Sequence, residues 1–330
     1  MNKLMAIVST SVCTVSFISS AVAAEVASGP ESEEAKEGLV QQMHDIFEAG
    51  FDFDFFSAYI WHNAIQTDEL VMEPCVWADL TYFEPFWLGF YIWQNYDLTD
   101  RRRNDLRKGL SETDSNVHIG ATVWSSDDEE QSLGIELGHE WYDYNFVRKG
   151  SGDAYSDSRE IYVKLTYDNP VVNIYGLASW LYEDFGCYKQ GVYYELGFNK
   201  ELDLAEVIDI PEETLTLGAD WNVSFGTGHY LNYLYGGTRN GVDEYGEMRY
   251  DGNSAGFGGT TVKVYLNWKL TDNLTLGGTI AYTGVLNGAY RESLGDQGDD
   301  WWDYDVESGR GNGSYQRDLV WGGVSLKLAF

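Results

Sequence analysis

The sequence predicts an all-β fold, a transmembrane antiparallel β-barrel of about twelve strands with a short N-terminal periplasmic helix, and three observations carry that prediction. From Phe51 onward, apolar and polar residues alternate with period two in successive segments. The links joining those segments are short and long in turn. Aromatic residues make up 15% of the 330-residue chain, enough to furnish girdles at both membrane interfaces, and many stand at segment ends.

Residues 1–24 read as a secretory signal. Lys3 supplies a basic start, an apolar run extends from Leu4 through Ile18, and the small residues Ala21, Ala23 and Ala24 place cleavage after Ala23 or Ala24. Cys13 follows Thr10-Ser11-Val12, which lacks the small residue expected before a lipidated cysteine. Beyond this segment no run of 18 apolar residues occurs. No helical membrane span can therefore be argued, and a membrane protein without one must close its strands into a barrel.

Residues 25–50 form an acidic amphipathic leader. Ser32-Glu33-Glu34 starts a helix, Leu39, Val40, Met43, Ile46 and Phe47 recur at helical spacing, and Gly50 ends it. Three roles stay open for the leader: a cap on the barrel mouth, a partner contact, or a pendant segment.

Residues 51–330 are the barrel. Strands are expected at 51–61, 71–83, 86–97, 115–125, 131–144, 158–168, 171–183, 188–200, 213–226, 258–269, 274–286 and 318–330. The alternation is clean where Val262, Val264, Leu266 and Trp268 interleave with Lys263, Tyr265, Asn267 and Lys269, whereas residues 171–183 leave the facing of their strand ambiguous. Short links at 84–85, 126–130, 169–170 and 271–273 alternate with long ones at 62–70, 98–114, 145–157, 226–257 and 287–317; residues 201–212 are a longer exception. Short turns face the periplasm and long loops face outward, so both chain ends are periplasmic. The last strand, ending at Phe330, is expected to pair with 51–61 with Lys327 turned inward, and to engage the barrel-assembly machinery.

Asp+Glu 53 against Lys+Arg 21 gives a net charge of -32, which excludes non-specific nucleic-acid binding. Outside the signal only Cys75 and Cys187 remain; they fall on the second and eighth strands, nearly opposite around the barrel, so two unpaired thiols are preferred to a bridge.

Tyr59-Ile60-Trp61-His62 followed by Met72-Glu73-Pro74, then Tyr91-Ile92-Trp93-Gln94-Asn95-Tyr96-Asp97-Leu98-Thr99-Asp100, resembles uncharacterised bacterial outer-membrane β-barrels grouped as TorF-like porins. Leu270 to Leu276 and Phe330 fit the same pattern. The resemblance implies a barrel in the outer membrane, among lipid and lipopolysaccharide, and more weakly a pore.

Candidate functional residues follow from the polar member of each alternation. Asp52, Asp54, Asp79, Glu136, Glu140, Glu160, Glu195 and Asp220, with Lys164, Lys263, Lys269 and Lys327, are expected to line the lumen. That acid excess favours cations in a water-filled pore. The competing reading pairs these charges across the lumen and fills it, since twelve strands lie between packed and open barrels. Arg101, Arg102, Arg103, Arg107 and Lys108 form a basic cluster in a loop, either a solute contact or a solvated face. Asp299, Asp303, Asp305 and Glu307 are the one candidate calcium set, although their spacing is not that of an EF-hand. No other cofactor is expected.

His44, His62, His118, His139 and His229 match neither a His–Ser pair on an outer wall nor an Asp-x-His rim, so no enzymatic activity is expected. The expected function is a narrow, cation-preferring channel for passive diffusion of small solutes. Its rival is a structural or adhesive barrel with a closed lumen and partner-binding loops.

Overall fold

The computed structural model describes residues 46–83, 85–98, 110–128, 130–144, 158–183, 190–208, 210–235, 239–242, 248–250, 255–288 and 318–330. In chain order the elements are β1 (Phe47–Phe56), β2 (Tyr59–Trp61), β3 (Ala64–Thr67), β4 (Val71–Phe83), β5 (Phe86–Asp97), β6 (Leu110–Ser125), β7 (Ser132–Tyr144) and β8 (Ser158–Asp168). There follow β9 (Asn173–Glu183), β10 (Gly191–Asp203), β11 (Leu215–Gly226), α1 (Gly228–Tyr235), β12 (Arg239–Val242), β13 (Met248–Tyr250), β14 (Gly256–Thr271), β15 (Leu274–Val285) and β16 (Asp318–Ala329). Twelve of these strands close into one antiparallel barrel in the order β1-β16-β15-β14-β11-β10-β9-β8-β7-β6-β5-β4. Every strand of the barrel has two hydrogen-bonded neighbours, so the barrel sheet has no unpaired edge.

Closure is made by β1 against β16. Asp52 lies opposite Lys327 and Phe56 opposite Gly323, and the ladder finishes with reciprocal bonds from Phe330 N to Ala49 O (2.8 Å) and Ala49 N to Phe330 O (3.2 Å). The pairing runs from Gly50 to Phe56 and stops short of Trp61.

Three boundaries depart from the sequence expectation by four residues or more. β1 begins at Phe47, so Phe47 and Gly50 are barrel residues, with Gly50 opposite Trp77 on one side and Ala329 on the other. The helix proposed upstream, over residues 25–45, lies outside the described residues. Tyr59–Trp61 leaves the barrel wall and pairs with Ala64–Thr67 in a separate hairpin. β6 starts at Leu110 rather than 115, which brings Glu112 and Asp114 into the wall.

The short turns are held by local side chains. Asn169 Oδ1 accepts from Val171 N (2.9 Å) and Val172 N (3.1 Å), a self-contained Asx turn between β8 and β9. The longer link after β10 is clamped by Asp203, which accepts from Ala205 N (2.9 Å) and Glu213 N (2.7 Å) around a 3-10 turn at Leu204–Glu206. A longer connection on the short-turn side is therefore ordered by one carboxylate.

Period-two facing gives the barrel two unlike walls. Leu88, Phe90, Ile119, Leu137, Leu165, Val264 and Ile280 are exposed large apolar side chains. Acidic, basic and tyrosine side chains occupy the alternate positions. A closed sheet whose exterior is apolar along its length is matched to hydrocarbon.

Candidate functional site

The inner face changes character along the barrel axis. Towards the short-turn end, Lys269 stands 3.7 Å from Glu213 and 3.9 Å from Asp272. Further up, Lys263 pairs with Asp220 at 3.2 Å between adjacent strands, Lys164 lies 5.9 Å over the Tyr175 ring, and Lys327 faces Asp52 with Asp54 one pleat away. His118 stands 3.5 Å from Asp79 and 2.9 Å from the Asn116 carboxamide. Asp52, Asp54, Asp79, Glu136, Lys164, Glu195, Asp220 and Lys263 are all partly open to solvent. Lys263 and Asp220 thus neutralise each other along the wall, between β14 and β11.

Tyrosines hold three of the carboxylates against the wall. Tyr162 donates to Glu136 (2.9 Å), Tyr175 donates to Glu195 (2.8 Å), and Tyr265 donates to Glu201 (2.8 Å). Each ring lies over a glycine directly opposite, Gly138, Gly197 and Gly218, whose missing Cβ leaves room for the ring to lie flat. Rings that lie flat line the lumen without crossing it.

At the long-loop end the interior is packed. The hairpin β2–β3 turns on His62 and Asn63, with φ 47° and 64°, the two left-handed residues that a two-residue hairpin of this hand requires. The turn places Tyr59 Oη 2.9 Å from Glu112 Oε2, to which it donates, and Asn63 Oδ1 where it accepts from Thr261 Oγ1 at 2.5 Å. Bonds to β6 and β14 thus fix the hairpin from two sides of the wall. α1 enters beside it, with Tyr230, Leu231 and Leu234 buried against Leu181, Tyr193, Val285 and Ala64. A Cβ at Gly191 would come within 2.9 Å of the Tyr230 backbone, so the helix approaches β10 where the wall has no side chain. Burial of Leu231 and Leu234 stabilises the docked helix by roughly 1.5–3 kcal/mol each.

Glu160 lies at the centre of this packing. Its carboxylate accepts from Ser179 and from Tyr230 Oη (2.5 Å), and stands 3.7 Å from His62 Nε2 with only 2% of its side chain exposed. Glu140, opposite Glu160 in the register, accepts from Tyr91. Burial pulls the His62 imidazole down, but the adjoining Glu160 carboxylate, with Glu195 and Glu140 behind it, outweighs burial and raises the pKa above its ordinary value. The Tyr59 phenol is pushed well above its ordinary value by burial and by Glu112.

Tyr59 and Trp61, aromatic residues at the end of the first expected segment, line the mouth, Trp61 meeting Tyr142 at 5.3 Å between ring centroids. Sequence reasoning missed Glu112, Asp114 and Tyr230 as mouth residues, because the links holding them carry no period-two signal. Cys75 is a free thiol, and Cys187 lies outside the described residues. Arg101, Arg102, Arg103, Arg107, Lys108, Asp299, Asp303, Asp305 and Glu307 also lie outside them. Among the described residues, no group of three or more His, Cys, Asp or Glu side chains is placed to hold a metal.

No family model matches the sequence, and no curated protein matches it. Solved structures with a similar chain path include the COG4313 outer membrane channel from Pseudomonas putida F1, with 11% identity, TM-score 0.45, and coverage of 86% of this chain and 94% of that one. The NanC porin gives 11% identity, TM-score 0.43 and coverage of 86% and 98%. Outer membrane phospholipase A from Escherichia coli gives 10% identity, TM-score 0.41 and coverage of 88% and 96%. The chain is a closed twelve-stranded antiparallel β-barrel. The expectation that it has no enzymatic activity does not stand, because a closed barrel by itself does not separate channel from enzyme. A histidine does occupy the outer wall: His139 alternates with inward-facing Glu140, and its Nε2 lies 2.5 Å from Tyr182 Oη.

Proposed function

We propose that this outer-membrane barrel is a porin-like channel, narrow and cation-preferring, whose outer mouth is stoppered by the β2–β3 hairpin and α1. The observation that carries this reading is the contrast along the inner face. Asp52, Asp54, Asp79, Glu136, Glu195 and Asp220 are reached by water below the mouth, while Glu112, Asp114 and Glu160 are buried within it. An acidic, wetted wall attracts cations and repels anions, and the low-dielectric barrel around it strengthens that field. The resemblance of Tyr59–His62 and Tyr91–Asp100 to TorF-like porins fits the same reading.

The test is a planar bilayer under a salt gradient. Cation-selective steps are expected, rarer in the intact protein than in a variant lacking residues 59–67. Silence of both proteins at high load would remove the channel reading. The packed mouth also favours a second reading, a barrel that stays closed and presents its long loops to partners; silence of the hairpin-deleted variant would support it.

A further inference from the structure

The mouth holds a basic ring where a solute of like charge would lodge. The His62 imidazole has the ring centroids of Tyr193 at 4.2 Å, Trp61 at 4.5 Å and Tyr230 at 6.0 Å. The Glu160 carboxylate is 3.7 Å away. Among the described residues, acidic and phenolic groups face this ring from several elements: Glu140 from β7, Glu160 from β8, Glu195 and Tyr193 from β10, Glu112 from β6 and Tyr230 from α1.

Three features separate this arrangement from ordinary packing. His62 Nε2 is buried yet has no hydrogen-bond partner, so charge and ring faces hold the imidazole without a directed bond. Glu112 Oε1 and Asp114 Oδ1 are also buried in the same wall, beside each other, and neither atom accepts a bond from a hydroxyl or an amide. Yet the His62 side chain is still 16% exposed, so the pocket is within reach of solvent. Carboxylates joined to aromatic faces, with no fixed donor geometry, recognise an organic cation.

We propose that the outer mouth is a binding site for a small organic cation, an ammonium or imidazolium, and that His62 is its tethered occupant in the absence of solute. The proposal deepens the channel reading and rests on it for one consequence, that a solute displacing His62 unseats the hairpin. Binding itself does not require conduction.

Isothermal calorimetry on the detergent-solubilised full chain tests it, with imidazole at pH 6 as probe and sodium chloride at equal ionic strength as control. His62→Gly vacates the pocket and suits the left-handed turn. Saturable one-to-one binding of imidazole is expected, at least tenfold tighter than in the unmodified protein, where the tethered ring competes at high effective concentration. Adding Glu160→Gln to His62→Gly is expected to weaken that binding at least tenfold. Equal binding with and without Glu160→Gln, or equal binding to the unmodified protein and His62→Gly, overturns the proposal. If His62→Gly does not fold, His62→Asn tolerates the same backbone and removes the charge; absence of binding there overturns the proposal too. A barrel that binds imidazole in this pattern but never conducts supports this site and refutes the channel reading alone, whereas one that conducts but never binds refutes this site alone.

Discussion

Replacing Glu160 by Gln tests the electrostatic part of the mouth closure while keeping its shape. The carboxamide oxygen still accepts from one of the two hydroxyls, Ser179 or Tyr230, and the other hydroxyl rotates to accept from the new amide. What is lost is the charge 3.7 Å from His62 Nε2. Removing one partner of a fully buried pair costs about 3–5 kcal/mol. The figure here is smaller, about 2 kcal/mol, because His62 is partly exposed and escapes the full penalty by releasing its proton. That corresponds to roughly a thirtyfold rise in the undocked population of the hairpin, at about 1.4 kcal/mol per factor of ten. The pH dependence has a definite sign. The docked pKa of His62 is raised, so its contribution is fully present below the ordinary histidine value and is lost as pH rises through the raised one. Amide exchange of residues 59–67, corrected for intrinsic rates, should therefore be about thirtyfold faster in Glu160→Gln at pH 6, with the difference shrinking towards pH 9. Equal protection at pH 6, or a gap that widens with pH, would refute the ion-pair argument.

Tyr230→Phe removes the hydroxyl that donates to Glu160 and should loosen α1 by about 1.5–3 kcal/mol, the range for a bond to a charged acceptor, read as faster exchange over residues 228–235. Gly138→Ala places a methyl in the Tyr162 ring and pulls its hydroxyl from Glu136; a loss of about 1–3 kcal/mol is expected in urea unfolding followed by tryptophan fluorescence, and no change would mean the ring is free to move. Val264→Arg puts a charge on the outer wall near the middle of β14, where about 2–4 kcal/mol is expected from unfolding in lipid, whereas the neighbouring Lys263 is already charged on the inner face. Equal tolerance of Val264→Arg and Asn267→Arg would contradict the assigned facing.

Much of the barrel was legible because its governing signal is local. A strand's facing is written every second residue, so Val264 outward and Lys263 inward follow from β14 alone. The ambiguity of residues 171–183 has a physical cause visible only in three dimensions. Leu177 and Leu181 belong to the inner face but are apolar because they pack on the mouth assembly, so both faces of β9 read as hydrophobic. The start of β1 was hidden for a related reason: Phe47 to Gly50 also fits a helical spacing, and pairing with β4 and, from Gly50, with β16 decides the matter.

The sequence by itself determined the strand count, the alternation of short and long links, the lipid-facing wall and the acidic bias of the interior, since each depends on composition and near-neighbour spacing. Tertiary structure alone decided that residues 59–67 and 228–235 fold into the mouth and bring His62, Tyr230 and Glu160 together. Those residues come from three different parts of the chain, and no period within any one of them encodes a contact made across the lumen.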